Sequence, residues 1–396
     1  MPLTLNGQIG KLQLSGIRRF NQMARQTPGC ISLTLGEPGE DTPAGIRAKV
    51  PEDLGAGLTH YPPNNGYPWL REGVAAFERA HGVPGQIAAA DNVIVTAGAT
   101  EALFVALSLV LNPGDEVIIP SPAFSLYESI TTLQRGVPVL MDTIPYGFQI
   151  DAHVLSAHVT EKTKAIVLNS PNNPTGCVLD DASLDAVARV AAKHDLFVIC
   201  DDVYSELVYV DGYERFCQRH PELADRMLVV GSFSKPWAMT GWRLGWLECA
   251  AELAREASKI HQYMVSSVPA FLQHAALEAL GTDTARMRRD YQARRDLTLG
   301  RLAQMGLSCE QPGGAFYAFP RVSELGLNSE AFCEQAIREA GVALVPGSCF
   351  GGRSGTGPWS RANGFVRLSY ACAPDVLEEG LTRLARFVES QGDGLA

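Results

Sequence analysis

The stretch SFSKPWAMTGWRLG, Ser232 to Gly245, sets Lys235 between two serines and a glycine-framed arginine, Arg243. A lysine amine traps carbonyl groups once it loses a proton, and from a reference pKa of about 10.4 that requires desolvation or nearby positive charge. Arg243 can supply some of that charge. Most lysines are solvated loop residues, but the neighbours here argue otherwise. Ser232 offers a hydroxyl, Arg243 a bidentate fork for a phosphate, and Gly241 and Gly245 let the backbone approach closely. A phosphorylated carbonyl cofactor would use all of them.

Such a cofactor needs three further partners. Its phosphate wants backbone N–H groups at a helix N-terminus, which TAGATEAL offers through Gly98, Ala99 and Thr100, with Thr100 as the expected cap. A pyridinium nitrogen wants a carboxylate, and a ring hydroxyl wants a phenol or an amide. Asp201 ends the apolar run of FVICDDVYSELVY, Tyr204 follows it, and Asn173 lies in SPNNPTG after another apolar run. Singly, each has an ordinary explanation: acids at strand ends cap helices, and Asn-Pro-Thr-Gly is a common turn. All of them fall beyond the carboxyl ends of predicted strands, where open α/β sheets bind ligands. Their coincidence in chain order carries the reading.

The elements that must position these residues are seven apolar runs between Asp91 and Glu248: NVIVT, EVIIP, VPVLM, KAIVL, LFVIC, MLVVG and RLGWL. Apolar on both faces and separated by helical patterns, they predict an α/β fold with a mainly parallel sheet covered on both sides. From about Thr284 a charged helix, ARMRRDYQARRDLTLGRLAQM, leads into GGAFYAFP, another helix, VALVPG, FVRLSYA and a C-terminal helix. This reads as a smaller α+β unit. We therefore expect a large domain over 45–283 and a small one built from 1–44 and 284–396. One insert, GGRSGTGPWSRANG from Gly351 to Gly364, reads as a loop whose Arg353, Trp359 and Arg361 could reshape a distal pocket.

Composition narrows the function classes. A chain of 396 residues, 46% hydrophobic, can bury an enzyme-sized core. The formal charge of −10, with no long run of one sign, argues against a nucleic-acid surface. The nine cysteines are scattered, odd in number and never in a CxxC pair, so reduced thiols in a cytoplasm are expected. No run is long and apolar enough for a signal peptide or a membrane span. Metal-ligand spacing is absent as well.

With these motifs in order, the chain resembles the fold-type I aminotransferases that use pyridoxal 5'-phosphate (PLP), class I/II, I-gamma branch. The resemblance runs from SLTLGEPGEDTP through HYPPNNGYPWLREGVA, TAGATEAL, SPNNPTG, CDDVYSEL and SFSKPWAMTGWRLG to FVRLSYA. It implies that Lys235 forms the Schiff base, that Asp201 keeps the pyridine nitrogen protonated, and that Asn173 and Tyr204 bond the ring oxygen. Gly98, Ala99, Thr100, Ser232 and Arg243 would hold the phosphate, and Phe124 of SPAFSLY would stack on the ring. Tyr61 would reach the phosphate of a neighbouring subunit, which implies a homodimer. On the substrate side, the resemblance gives Arg367 the α-carboxylate, with Asn173 beside it and the backbone at Gly36 closing over it.

The implied reaction is ping-pong transfer of an amino group between an L-amino acid and a 2-oxo acid. LSGIRRFNQMA, KIHQYMVSSVPAFLQHAALEAL and GVALVPGSCF read most like the N-acetyl-L,L-diaminopimelate aminotransferases, with 2-oxoglutarate as the implied acceptor. Aspartate and aromatic aminotransferases share much of this wording. PLP-dependent C–S or β-lyases, which keep the same lysine and aspartate, are the alternative of another class.

Overall fold

The seven runs form one sheet: β1 (Val93–Thr96), β2 (Glu116–Ser121), β3 (Val137–Asp142), β4 (Thr163–Asn169), β5 (Phe197–Asp201), β6 (Met227–Ser232) and β7 (Gly245–Cys249). The computed structural model describes residues 3–12, 14, 16–351 and 361–392. Across the sheet the order is β1-β7-β6-β5-β4-β2-β3. Only β7 runs against its neighbours, and every other adjacent pair is parallel. Two-residue alternation explains why the runs are apolar throughout. In β4, Ala165 and Val167 pack into one core while Ile166 and Leu168 pack into another on the opposite face.

Helices cover both faces. The helix Asp181–His194 between β4 and β5 buries Leu184, Val187 and Ala191 at helical spacing. Asp180 caps it by accepting from the Ser183 amide, and Asp195 ends it in a left-handed conformation. These right-sized crossovers bring the carboxyl ends of β1, β4, β5 and β6 to one edge, so Thr96, Asn169, Asp201 and Ser232 face the same side.

Past the long helix Ala285–Gln304, the chain builds a three-stranded antiparallel sheet with Val366–Ser369 between Tyr317–Ala318 and Val345–Pro346. Near the N-terminus, Ile31–Ser32 pairs in parallel with Val342–Ala343 and so joins the chain's beginning to this later part. The final helix, Pro374–Gly392, buries Leu377, Leu381, Leu384 and Phe387 along one stripe. Among the described residues no helix is long and apolar enough to cross a membrane.

One local expectation changes. Thr100 does not cap the helix after β1: the helix spans Ala99–Val110, with Gly98 in the cap position at φ +78°. Thr100 is thus already in the first turn, and the Glu101 carboxylate reaches back to accept the Ala97 amide just before the cap. Of the insert, Arg353 and Trp359 lie outside the described residues. Arg361 is exposed and ion-pairs Asp142 at 3.4 Å.

Close strand packing sets the first test. Gly231 of β6 lies opposite Trp246 of β7, and a Cβ on it would stand 2.0 Å from the indole. That indole is itself fixed by Phe233 at 4.9 Å and by its N–H bond to Glu78 at 3.1 Å. Gly231→Ala should therefore lower stability by about 1–3 kcal/mol. The effect is read as a fall in the urea midpoint, with Gly85→Ala, where nothing lies within 4 Å, as the unaffected control.

Candidate active site

At the carboxyl edge of the sheet lies a cavity of about 270 Å³. Gly36, Ala99, Thr100, Phe124, Asn173, Asp201, Tyr204, Ser232, Lys235, Arg243 and Arg367 all line it. Gly98 is not among the lining residues, although it directly precedes Ala99, which is. Tyr61 does not reach it: the side chain is 90% exposed on the surface of this chain.

Lys235 follows β6 by three residues and extends to the cavity, where its Nζ donates to the Gly36 carbonyl at 2.6 Å. The rings of Tyr204 and Phe316 lie 5.9 Å from it. Burial pushes the Lys235 ammonium down to about 8; Arg367 and Arg243 push the same way, and Glu37 and Asp201 oppose them. A minor but appreciable fraction of the amine is thus neutral near physiological pH.

Asp201 ends β5 and is almost wholly buried. Its Oδ2 accepts from the Tyr127 hydroxyl at 2.5 Å, while Oδ1 has no partner. Burial raises its carboxyl to about 6, against the stabilising bond from Tyr127 and the nearby Val203 amide dipole, so it is still mainly a carboxylate at neutral pH. An unpartnered buried carboxylate oxygen on a cavity wall wants a donor.

Arg367 sits in the buried strand Val366–Ser369. Its Nη1 donates to Asn173 Oδ1 at 2.8 Å and its Nη2 to the Thr34 carbonyl at 2.7 Å, while Nε is buried without a partner. Tyr317 and Phe350 flank the guanidinium, with ring centres 4.5 and 5.0 Å away. Since Arg367 occupies the Asn173 oxygen, the amide NH₂ is the group that remains to donate elsewhere. The Tyr204 hydroxyl shares a 2.9 Å bond with that of Tyr317, and burial holds Tyr204 well above the ordinary phenol range. It stays a neutral phenol.

The other end of the cavity is built for an anion. The N-terminus of helix Ala99–Val110 presents its free amides there, beside Ser232 and Arg243. Arg243 adopts a left-handed backbone at φ +56° that turns it toward Gly98. Gly98 takes φ +78°, a turn that favours glycine, and Arg243 Nη2 lies where a Cβ would stand, 2.6 Å away.

Three residues important to this geometry escaped the motif reading. Tyr127 belongs to the SPAFSLY segment, but nothing in its spacing announces a bond to Asp201. Asn169 closes β4, donating to the Asp201 carbonyl at 2.9 Å and accepting the Asn173 amide at 2.8 Å, so one side chain fixes two strand ends. Its signal was a polar residue ending an apolar run. Tyr317 lies in GGAFYAFP, where alternation of aromatics suggests only a core.

The model of the family described as aminotransferase class I and II matches residues 28–384. The chain is 38% identical to a Bacillus subtilis (strain 168) protein named probable N-acetyl-LL-diaminopimelate aminotransferase, over 97% of this chain and 95% of that one. It is also 38% identical to an aspartate aminotransferase of Pyrococcus abyssi, over 98% and 99%. Among solved structures, the aromatic aminotransferase from Pyrococcus horikoshii OT3 superposes with a TM-score of 0.85 at 37% identity, over 94% of this chain and 99% of that chain.

The environment of Lys235 makes a direct prediction. Its reactivity toward a small acylating reagent in the cofactor-free protein should rise through about pH 8 and then level off. Arg367→Leu, which removes one positive neighbour, should move that midpoint upward. Mass-spectrometric labelling of the Lys235 peptide across pH checks both, and a midpoint at the ordinary lysine value of about 10.4 would contradict them.

Proposed function

We propose that this chain, which belongs to the class I and II aminotransferases, uses Lys235, Asp201 and Arg367 to move an amino group from an L-amino acid to a 2-oxo acid. It is a PLP-dependent transaminase. The cofactor supplies a carbonyl that takes up the amino group and a protonated ring that draws electron density from the substrate's Cα. One observation carries the assignment of residues: a single cavity holds a depressed lysine, an anion cradle, and two buried polar atoms, Asp201 Oδ1 and Arg367 Nε, that lack partners.

Each gap matches a part of the chemistry. Asp201 Oδ1 would hold the pyridine proton, with the Tyr127 bond keeping the carboxylate from turning away. Asn173 and Tyr204 can donate to the ring oxygen. Phe124, half-buried on the wall, offers its face to the ring. The cradle of Gly98, Ala99, Thr100, Ser232 and Arg243 suits the phosphate.

The same residues then handle the substrate. Arg367, oriented by Asn173 and the Thr34 carbonyl, binds the α-carboxylate and thereby fixes which way Cα–H points. The neutral Lys235 amine takes the Cα proton and later returns a proton on the other side of the transfer. Because Gly36, Thr34 and Arg367 lie outside 45–283 while Lys235 and Asn173 lie within it, the bonds Lys235–Gly36 and Arg367–Asn173 join our two proposed domains. Closure of the unit formed by 1–44 and 284–396 would tighten both and exclude water.

In this reading Tyr61, 90% exposed on its own chain, is left free to serve a partner's cradle in a homodimer, as the resemblance implies. For the substrate we place N-acetyl-L,L-diaminopimelate with 2-oxoglutarate first, on the sequence likeness and the Bacillus subtilis relative. Aspartate or an aromatic amino acid is the alternative, supported by relatives of nearly equal identity.

Borohydride treatment with PLP should label Lys235 covalently, and Lys235→Ala should take no label; a label on that variant removes the assignment. Arg367→Ala should weaken all amino and oxo acids by similar factors, worth about 2–5 kcal/mol, as expected when a buried charge-assisted pair loses one partner. Selective loss for one substrate would contradict that role. For identity, kcat/KM is compared over N-acetyl-L,L-diaminopimelate, aspartate and aromatic donors, with sedimentation at assay concentration. A preference for aspartate or an aromatic donor overturns the first choice, and an active monomer overturns the role of Tyr61.

A further inference from the structure

We infer that His261 is a positioning residue for the anion cradle: it neutralises Glu101 in the first turn of the helix Ala99–Val110 and fastens the loop that carries Tyr61 to that turn. The inference rests on the cofactor site proposed above.

His261 lies on the helix Ala251–Val265, which packs against Ala99–Val110, and it is fully buried. Its Nδ1 is 2.7 Å from Glu101 Oε1 and its Nε2 is 2.8 Å from the Asn64 carbonyl oxygen. A neutral imidazole carries one N–H, yet both of its nitrogens here face acceptors. The geometry is satisfied when a proton is shared between ring and carboxylate, either as imidazolium with carboxylate or as imidazole with carboxylic acid. In both forms the pair is neutral overall.

That neutrality matters because of where Glu101 stands. Its Oε2 accepts the Ala97 amide, so the carboxylate holds the turn Ala97–Glu101 whose amides form the cradle. A helix N-terminus favours one anion; an uncompensated carboxylate in the first turn would repel a phosphate bound there. Replacing Glu101 by a residue without a side-chain oxygen would remove the repulsion but also the acceptor that shapes the turn. His261 allows both to coexist.

The second bond reaches the neighbouring loop. Asn64 and Asn65 are held further by Ser258, one turn before His261, through bonds of 3.3 Å to its carbonyl and 2.8 Å to its hydroxyl. The Val95 amide, in β1, bonds the Asn65 carbonyl at 3.1 Å. The segment three residues beyond Tyr61 is thus tied to the same strand and helix that build the cradle.

The test uses the cofactor-free protein and inorganic phosphate, followed by calorimetry with PLP as competitor, alongside binding of pyridoxal, which lacks the phosphate. His261→Gln should weaken phosphate about tenfold and leave pyridoxal within about twofold. Glu101→Gln added to it keeps an acceptor for Ala97 and should restore phosphate to near the starting affinity. Equal loss of phosphate and pyridoxal, or no restoration, overturns the inference. If His261→Gln does not fold, Glu101→Gln alone decides: phosphate should bind no more weakly than to the parent, and a tenfold loss refutes the charge argument. Phosphate that fails to bind the parent protein, or that PLP does not displace, counts instead against the proposed cofactor site.

Discussion

Desolvation of three charged side chains around one cavity is the constraint on which the rest of the structure depends. Lys235, Asp201 and Arg367 would each be expensive to bury alone. Together they are tolerated because each has a specific neighbour: the Gly36 carbonyl for the ammonium, the Tyr127 hydroxyl for the carboxylate, Asn173 and Thr34 for the guanidinium. The offset is incomplete by design of the fold, for Asp201 Oδ1 and Arg367 Nε remain unpaired. A ligand with a donor at one end of its ring and a carboxylate beside it completes the set. Burial is also what tunes the groups, lowering Lys235 to about 8 and raising Asp201 to about 6, so a neutral amine and a carboxylate can coexist near neutral pH.

Such a set can be assembled only where backbone polar groups are already turning outward. Strand ends do this, and the parallel arrangement places the ends of β4, β5 and β6 side by side. Asn169 exploits the adjacency, since its amide reaches the Asp201 carbonyl on the next strand while its oxygen receives the Asn173 amide. The antiparallel β7 has a different task. By running back between β1 and β6, it brings Gly245 under Ala99 and Gly231, where any side chain would strike backbone at 2.8 Å. The cradle and the lysine loop are thereby held at a fixed separation.

How much of this was legible in the sequence follows from which interactions are local. Most of the large-sheet strands could be read because burial on both faces leaves continuous apolar runs, as in β1 and β6, where every residue is buried, whereas the edge strand β3 is only partly buried. The cavity's polar residues were legible for the opposite reason: Asp201, Asn173 and Lys235 interrupt or closely follow such runs. Tyr127, Asn169 and Tyr317 were not, because their roles are set by partners far away in the chain, 74 residues for Tyr127 with Asp201 and 113 for Tyr204 with Tyr317. The misplaced cap at Thr100 has a local origin. A threonine near a helix start is a fair cap by type, but the helix begins at Ala99 with Gly98 in the cap position, so Thr100 already lies inside the first turn, where its side chain cannot cap.

The pair Asp201–Asp202 shows how far the charge arrangement extends behind the cavity. Adjacent at the end of β5, they divide between two environments: Asp201 faces the cavity and Tyr127, and Asp202 meets Arg215 at 2.8 Å. Asp202's charge pushes the Asp201 carboxyl upward, which works against its holding a proton on a ligand's ring while itself ionised. Arg215 limits that push, but it also binds Glu78 at 2.5 Å, so one guanidinium faces two carboxylates. Nearby Glu248 has both oxygens buried and unpaired, and burial, with Glu78 adding to it, drives its carboxyl well above the ordinary range. A protonated Glu248 adds no negative charge. With the Asp201 carboxyl at about 6 and the Lys235 ammonium at about 8, Asp201 is ionised at the pH where Lys235 begins to be neutral.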